Sequence, residues 1–284
     1  MEKPVPENGK HKKLFITDFD GTLMGNSGMA RLDLAAMTRL GELGVVRAIA
    51  TGRSMHTLMK AGGTALPVDY IISATGAGVS RYPEGELIRK KCLTAEAVYA
   101  CARILEQEDL DFMIQRPLPD NHHFAYRSSG RKNPDFAKRI SLYNGYCQPL
   151  GSAAAFGPAS QLLAVVPHRK TRQVLKRIRE QIKELSVIQA TSPLDGKSAW
   201  IEIFASGVSK SQAAAWLARM LGIRRENILS IGNDYNDLDL LEWSGKGVVV
   251  DNAPDDLKRR FKVVAEGGAG GVADAISKWL TDPR

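Results

Sequence analysis

An α/β fold is predicted, with a parallel sheet, helices on both faces and a smaller inserted α/β (α+β) domain. Three observations predict it: short apolar strands alternate with amphipathic helices at both ends of the 284-residue chain, the middle breaks that rhythm, and polar residues cluster where the strands end.

The first half of the rhythm runs LFITDF, ARLDLAAMTRLGELG, VVRAIAT, SMHTLMKAGG and YIISATG, which reads as β, α, β, α, β. After TGAGVSRYPEGELIRKKCL come hairpin-like pieces and a few helices, as far as SPLDGKS at 192–198. The βα rhythm then returns with a strand at WIEIFA, a helix at KSQAAAWLARMLGI, a strand at NILSIGN and a helix at YNDLDLLEWS. The pieces GVVVD, VVAE and GVADAISKWL complete it, with GAGGVA at 268–273 read as a turn before the last helix. Expected boundaries are a loose tail at 1–12, a core at 13–78 and 197–284, and an insert at 79–196.

Apolar residues make up 44% of the chain and charged residues 25%, which excludes disordered and fibrous classes. No apolar run approaches a membrane span, and the start MEKPVPENGKHKK is too polar for a secretory signal, so a cytoplasmic protein with no membrane partner is expected. The three cysteines, Cys92, Cys101 and Cys147, lack metal-type spacing and are expected to be reduced. The net charge of +8 favours anionic partners. Much of it lies in HRKTRQVLKRIREQIKEL, where Val174, Ile178, Ile182 and Leu185 recur beneath a basic exterior, the pattern of a solvated helix face. Aromatics are not interleaved with it, so no nucleic-acid partner is expected.

In FITDFDGTL the carboxylates of Asp18 and Asp20 project to one side where the chain leaves the sheet, and Gly21 permits a sharp turn. Ligands of open α/β sheets bind outside those strand ends. Two ionised carboxylates so close repel, and a divalent cation with oxygen ligands, Mg²⁺ above all, would hold both charged. Thr51, Gly52 and Arg53 leave the next strand with a hydroxyl and backbone N–H groups suited to phosphoryl oxygens. Lys210 stands in the first turn of a helix, where a cation is misplaced unless an anion or carboxylates lie near. In GNDYND, Asn233, Asp234, Asn236 and Asp237 exceed what capping requires, which points to metal binding.

In order and strand context, DFDGT, TGR, the helix-starting Lys210 and GNDYND resemble the motifs of the haloacid dehalogenase-like phosphohydrolases. The resemblance covers 14 to about 78 and 197–284 and implies a Rossmann-like core; by position and rhythm the insert resembles the α/β cap of the Cof-type subgroup. It implies a Mg²⁺-dependent phosphatase acting on a small phosphorylated metabolite, a class that includes sugar phosphates. Asp18 would attack phosphorus to give an aspartyl-phosphate and bind Mg²⁺ through its other oxygen. Asp20 would protonate the leaving alcohol, activate water, and offer its carbonyl to the metal. Thr51 and the adjoining amide would bind phosphoryl oxygens, Lys210 would neutralise phosphate and Asp18, and Asp237 would anchor Lys210 or sit behind the metal ligands.

The sequence departs from the family pattern in two places. Gly232 is followed by Asn233 and then Asp234, so either residue can supply the metal ligand; TGAG at 75–78 puts Thr75 where relatives carry asparagine. In the insert, Arg116 and Arg127 are candidate substrate contacts, while His122 and His123, read as strand neighbours facing opposite ways, are poor partners for a shared metal. A phosphomutase and a phospho-accepting signalling domain remain the alternatives. Asp20 and the size of the insert count against the signalling reading. The oligomeric state is not specified by the sequence.

Overall fold

The structure, a computed structural model, describes residues 12–62 and 65–281. All but the last residue of the expected tail at 1–12 lies outside the described residues. The chain divides into two units, one spanning 1–89 and 209–284 and the other Lys90–Val208.

The first unit contains β1 (Leu14–Thr17), β2 (Met24–Gly25), β3 (Gly28–Met29), α1 (Arg31–Glu42), β4 (Val46–Ala50), α2 (Met55–Lys60), β5 (Tyr70–Ser73), β6 (Gly78–Arg81) and β7 (Leu87–Lys90). The second unit holds α3 (Ala95–Gln107), β8 (Asp111–Gln115), β9 (Phe124–Arg127), α4 (Pro134–Leu142), β10 (Cys147–Pro149), β11 (Gln161–Val166), α5 (Thr171–Gln181), β12 (Ser186–Thr191) and β13 (Ala199–Phe204). The first unit then resumes with α6 (Lys210–Leu221), β14 (Ile228–Gly232), α7 (Leu238–Trp243), β15 (Lys246–Val250), α8 (Asp255–Lys258), β16 (Lys262–Val264) and α9 (Gly271–Thr281).

The sheet of the first unit has the order β16-β15-β14-β1-β4-β5-β6-β7. β1 pairs parallel with both β14 and β4, so it is central and buried on both faces, as its apolar run LFIT requires. Phe15 packs into one face with Met37 and Leu40 of α1 and Ile276 of α9; Leu14 and Ile16 pack into the other with Ala213 and Leu217 of α6. This is the helix-covered α/β core that the sequence predicts. At the edge, β6 turns back antiparallel on β5.

The second unit is built on a six-stranded sheet of order β10-β9-β8-β11-β13-β12. Its helices α3 and α5 bury Val98, Leu105, Val174 and Ile178 against Phe112, Ile114, Leu162 and Ile201 on one face. On the opposite face lie Met113, Leu163, Val165 and Trp200, with Phe136 of α4.

Two boundaries differ from those read in the sequence. β6 and β7 extend the first sheet, so that unit runs to Arg89 rather than 78. The strand at 199–204 lies between β11 and β12 rather than in the first sheet, and the second unit ends at Val208 rather than 196. Buried on both faces, β13 has the same residue pattern whichever sheet receives it, and only its pairing decides the matter.

Candidate active site

The carboxyl ends of β1, β4 and β14 and the start of α6 bring the predicted residues of the first unit together. Asp18 continues β1: its N–H donates to the Ile231 carbonyl of β14 at 2.9 Å, and the residue is only 5% exposed. The loop then turns at Gly21, where φ is +78° and a Cβ would lie 2.4 Å from the Asn233 side chain. Both the turn and the close approach therefore require glycine.

Lys210 occupies the first position of α6, whose N-cap Ser209 accepts from the Gln212 N–H. Fully buried, its Nζ donates to Asp18 Oδ1 at 2.7 Å and to Asp237 Oδ1 at 2.5 Å. These carboxylates supply the negative charge that a cation at a helix N-terminus needs. The second oxygen of Asp237 accepts from the Asn233 and Asp234 N–H groups at 2.9 and 3.1 Å, and Asp234 and Asp237 form a capping box. One carboxylate thus fixes both the lysine and the turn after β14.

Thr51, fully buried, follows β4. Its N–H donates to the Ile72 carbonyl at 2.8 Å and its hydroxyl accepts from the Arg53 N–H at 3.1 Å, which leaves the O–H to donate elsewhere. Gly52 is flanked by Thr75 and Asn236, with Thr75 in the left-handed region at φ 53°. Arg53 grips Asp20 through Nε and Nη2 at 2.7 and 2.6 Å and lies over the Phe19 ring, so in this arrangement its fork serves the second carboxylate.

Among the described residues Asp18, Asp20 and Asp237 are ion-paired with Lys210 and Arg53, so ionising all three carboxylates leaves one negative charge in excess. Burial, then the Asp237 charge, pushes Asp18 up to about 8, and Lys210 only partly offsets this. Against its own burial, Lys210 is held above its ordinary value by Asp18 and Asp237.

Among the described residues no three His, Cys, Asp or Glu side chains cluster to hold a metal. The oxygens that converge come from mixed sources. The Asn233 amide atom that receives the Thr22 hydroxyl at 3.2 Å lies 3.0 Å from the Asp20 carbonyl oxygen and 3.3 Å from Asp18 Oδ2. As oxygen it stands with two further acceptors at separations near the roughly 3 Å expected between neighbouring ligands of an octahedral Mg²⁺; as nitrogen it donates to both. A carboxylate, a carbonyl and an amide with surplus negative charge fit a hard divalent cation.

Arg116 and Arg127 belong to the second unit. Arg116 is exposed after β8, its N–H donating to the His123 carbonyl, and Arg127 ends β9 in an ion pair with Glu106. His122 and His123 precede β9 rather than lie within it, so strand alternation does not apply. Their rings stand 4.3 Å apart, both near Tyr146. Asn252, which sequence reasoning missed, donates to the Gly21 carbonyl at 2.8 Å and accepts from the Gly267 N–H at 2.8 Å. Its available signal was its place just beyond β15, at the same end of the sheet.

Residues 15–276 match the sequence family described as haloacid dehalogenase-like hydrolase. A 5-amino-6-(5-phospho-D-ribitylamino)uracil phosphatase of Bacillus subtilis is 23% identical, covering 94% of this chain and 96% of its own length. An HMP-PP phosphatase of Klebsiella pneumoniae is also 23% identical, over 95% and 97%. Among solved structures, a haloalkanoate-superfamily phosphatase from Bacteroides thetaiotaomicron superposes with a TM-score of 0.76 at 18% identity, covering 99% of each chain. With its motif segments adjoining in one unit and the family match spanning nearly its whole length, the chain belongs to the haloacid dehalogenase-like hydrolases, in their Cof-type subgroup.

Proposed function

We propose that the chain is a Mg²⁺-dependent phosphatase that hydrolyses a small phosphorylated metabolite, sugar phosphates included, through an aspartyl-phosphate on Asp18. The observation that carries this reading is the buried Asp18–Lys210–Asp237 bridge, with the Asp18 Oδ2 atom turned to the Asn233 amide and Thr51 at the end of the neighbouring strand β4. The phosphatase names of the relatives support the reaction class.

In this reading an Asp18 oxygen attacks phosphorus while the ester oxygen leaves with a proton from Asp20. Asp20 then takes a proton from the water that cleaves the acyl-phosphate; the Arg53 fork holds both oxygens of the ionised Asp20 and must free one of them whenever Asp20 carries the proton. The Thr51 hydroxyl and the neighbouring Gly52 amide bind phosphoryl oxygens, and Lys210 balances the charge on Asp18 and the phosphoryl group. Asp18, the Asp20 carbonyl and the Asn233 amide oxygen would hold the divalent cation, with Asp234 engaged in its capping box. The bound cation supplies positive charge against the phosphoryl oxygens. A cytoplasmic setting belongs to the same proposal and rests on the free cysteines.

A screen of phosphorylated metabolites with Mg²⁺, run beside Asp18→Asn, tests the proposal. Free phosphate is expected from the wild type, and a loss of at least about 10⁴-fold from the variant, the scale on which removing a nucleophile acts. Formation of an isomeric ester instead of phosphate would establish a mutase, and a long-lived aspartyl-phosphate without turnover a signalling domain.

A further inference from the structure

The second unit carries a cavity of about 360 Å³ lined by Tyr99, Arg103 and Glu106 of α3, Arg127 at the end of β9 and the 150–154 segment after β10. That volume suits a small molecule. Spacings of four and three put Tyr99, Arg103 and Glu106 on one face of α3. Arg127 is ion-paired with Glu106, whereas Arg103 is exposed and has no acidic partner within ion-pair distance among the described residues, so the lining carries one net positive charge. The N–H groups of Gly151, Ser152, Ala153 and Ala154 have no hydrogen-bond acceptor among the described residues, whereas those of Leu150 and Ala155 on either side are bonded to the Tyr126 and Ser152 carbonyls. Tyr99, 44% exposed, and Leu150 add apolar wall.

We propose that this cavity binds a small organic carboxylate. The acid group takes the Arg103 fork and the unbonded N–H groups of the 151–154 segment, and an apolar body lies against Tyr99 and Leu150. A net charge of +1 matches a monoanion better than a phosphate dianion. The inference does not depend on the phosphatase reading, because the cavity lies wholly within the second unit and binding is read without turnover.

Benzoate is the probe, titrated into ¹⁵N-labelled full-length protein without divalent cation, with benzamide as its uncharged counterpart. Saturable shifts of the Gly151–Ala154 amides with a Kd of about 1 mM are expected, weakened at least about fivefold by Arg103→Ala and by Tyr99→Ala. Both side chains are exposed enough for their variants to fold. The proposal is overturned if no saturable shift occurs, if benzamide binds as well, if Arg103→Ala leaves the Kd unchanged, or if only the amides of 18–21 and 51–53 respond.

Discussion

Lys210 is a buried ammonium that, among the described residues, is ion-paired with Asp18 and Asp237. Replacing it with methionine leaves the buried Asp237 charge without its cation beside Asp18 and is expected to cost about 3–5 kcal/mol of stability in chemical denaturation. Part of that loss returns in the double variant Lys210→Met/Asp237→Asn, which removes the stranded Asp237 charge. Asp18 gives the protein a pH signature. With its value raised to about 8 by burial and Asp237, the native state without cation holds a proton on Asp18 that the unfolded chain has lost. Its contribution is therefore complete below the unfolded value near 3.8 and is lost as pH rises through about 8. Thermal unfolding without divalent cation should show a decline over that interval that is absent in Asp18→Asn, and apparent Mg²⁺ affinity should rise over the same interval.

Each strand end delivers one group, and the turn that follows fixes its direction. Asn252, in the turn after β15, ties the Gly21 carbonyl to the Gly267 N–H and so braces the loop that follows Asp18. Asn252→Ala should lower stability by about 0.5–1.5 kcal/mol, since the group is exposed, and raise the Mg²⁺ concentration needed for half-maximal activity. A denaturant titration and a Mg²⁺ activation curve check both. At this scale the sequence was legible where local chemistry repeats: β1 with its two aspartates, the helix starting at Lys210 and the surplus polar turn after β14. It was not legible for Asn252, whose partners lie 231 and 15 residues away, because hydrogen bonds of that reach leave no local pattern. The histidines at 122 and 123 illustrate a different limit: two residues placed on a strand by their neighbours stand in a turn, and their rings approach instead of diverging.

Across the molecule, the alternation of strands and helices specified the helix-covered core because strands buried on both faces must read as apolar runs. It did not specify which sheet receives β13, since a fully buried strand suits the centre of either, nor that β6 and β7 continue the first sheet by a reversal. The residues proposed as catalytic meet despite this, because one end of a parallel sheet gathers segments far apart in sequence: Asp18 and Lys210 are separated by 192 positions and bonded at 2.7 Å. Chemical trapping on the intact chain tests whether that gathering makes Asp18 the group that reaches phosphorus. Wild-type protein mixed with substrate and Mg²⁺, quenched within a turnover and reduced with borohydride, should yield homoserine at position 18 by mass spectrometry. Reduction at Asp20 or Asp237 instead, or phosphate release with no modified residue at position 18, would contradict the account.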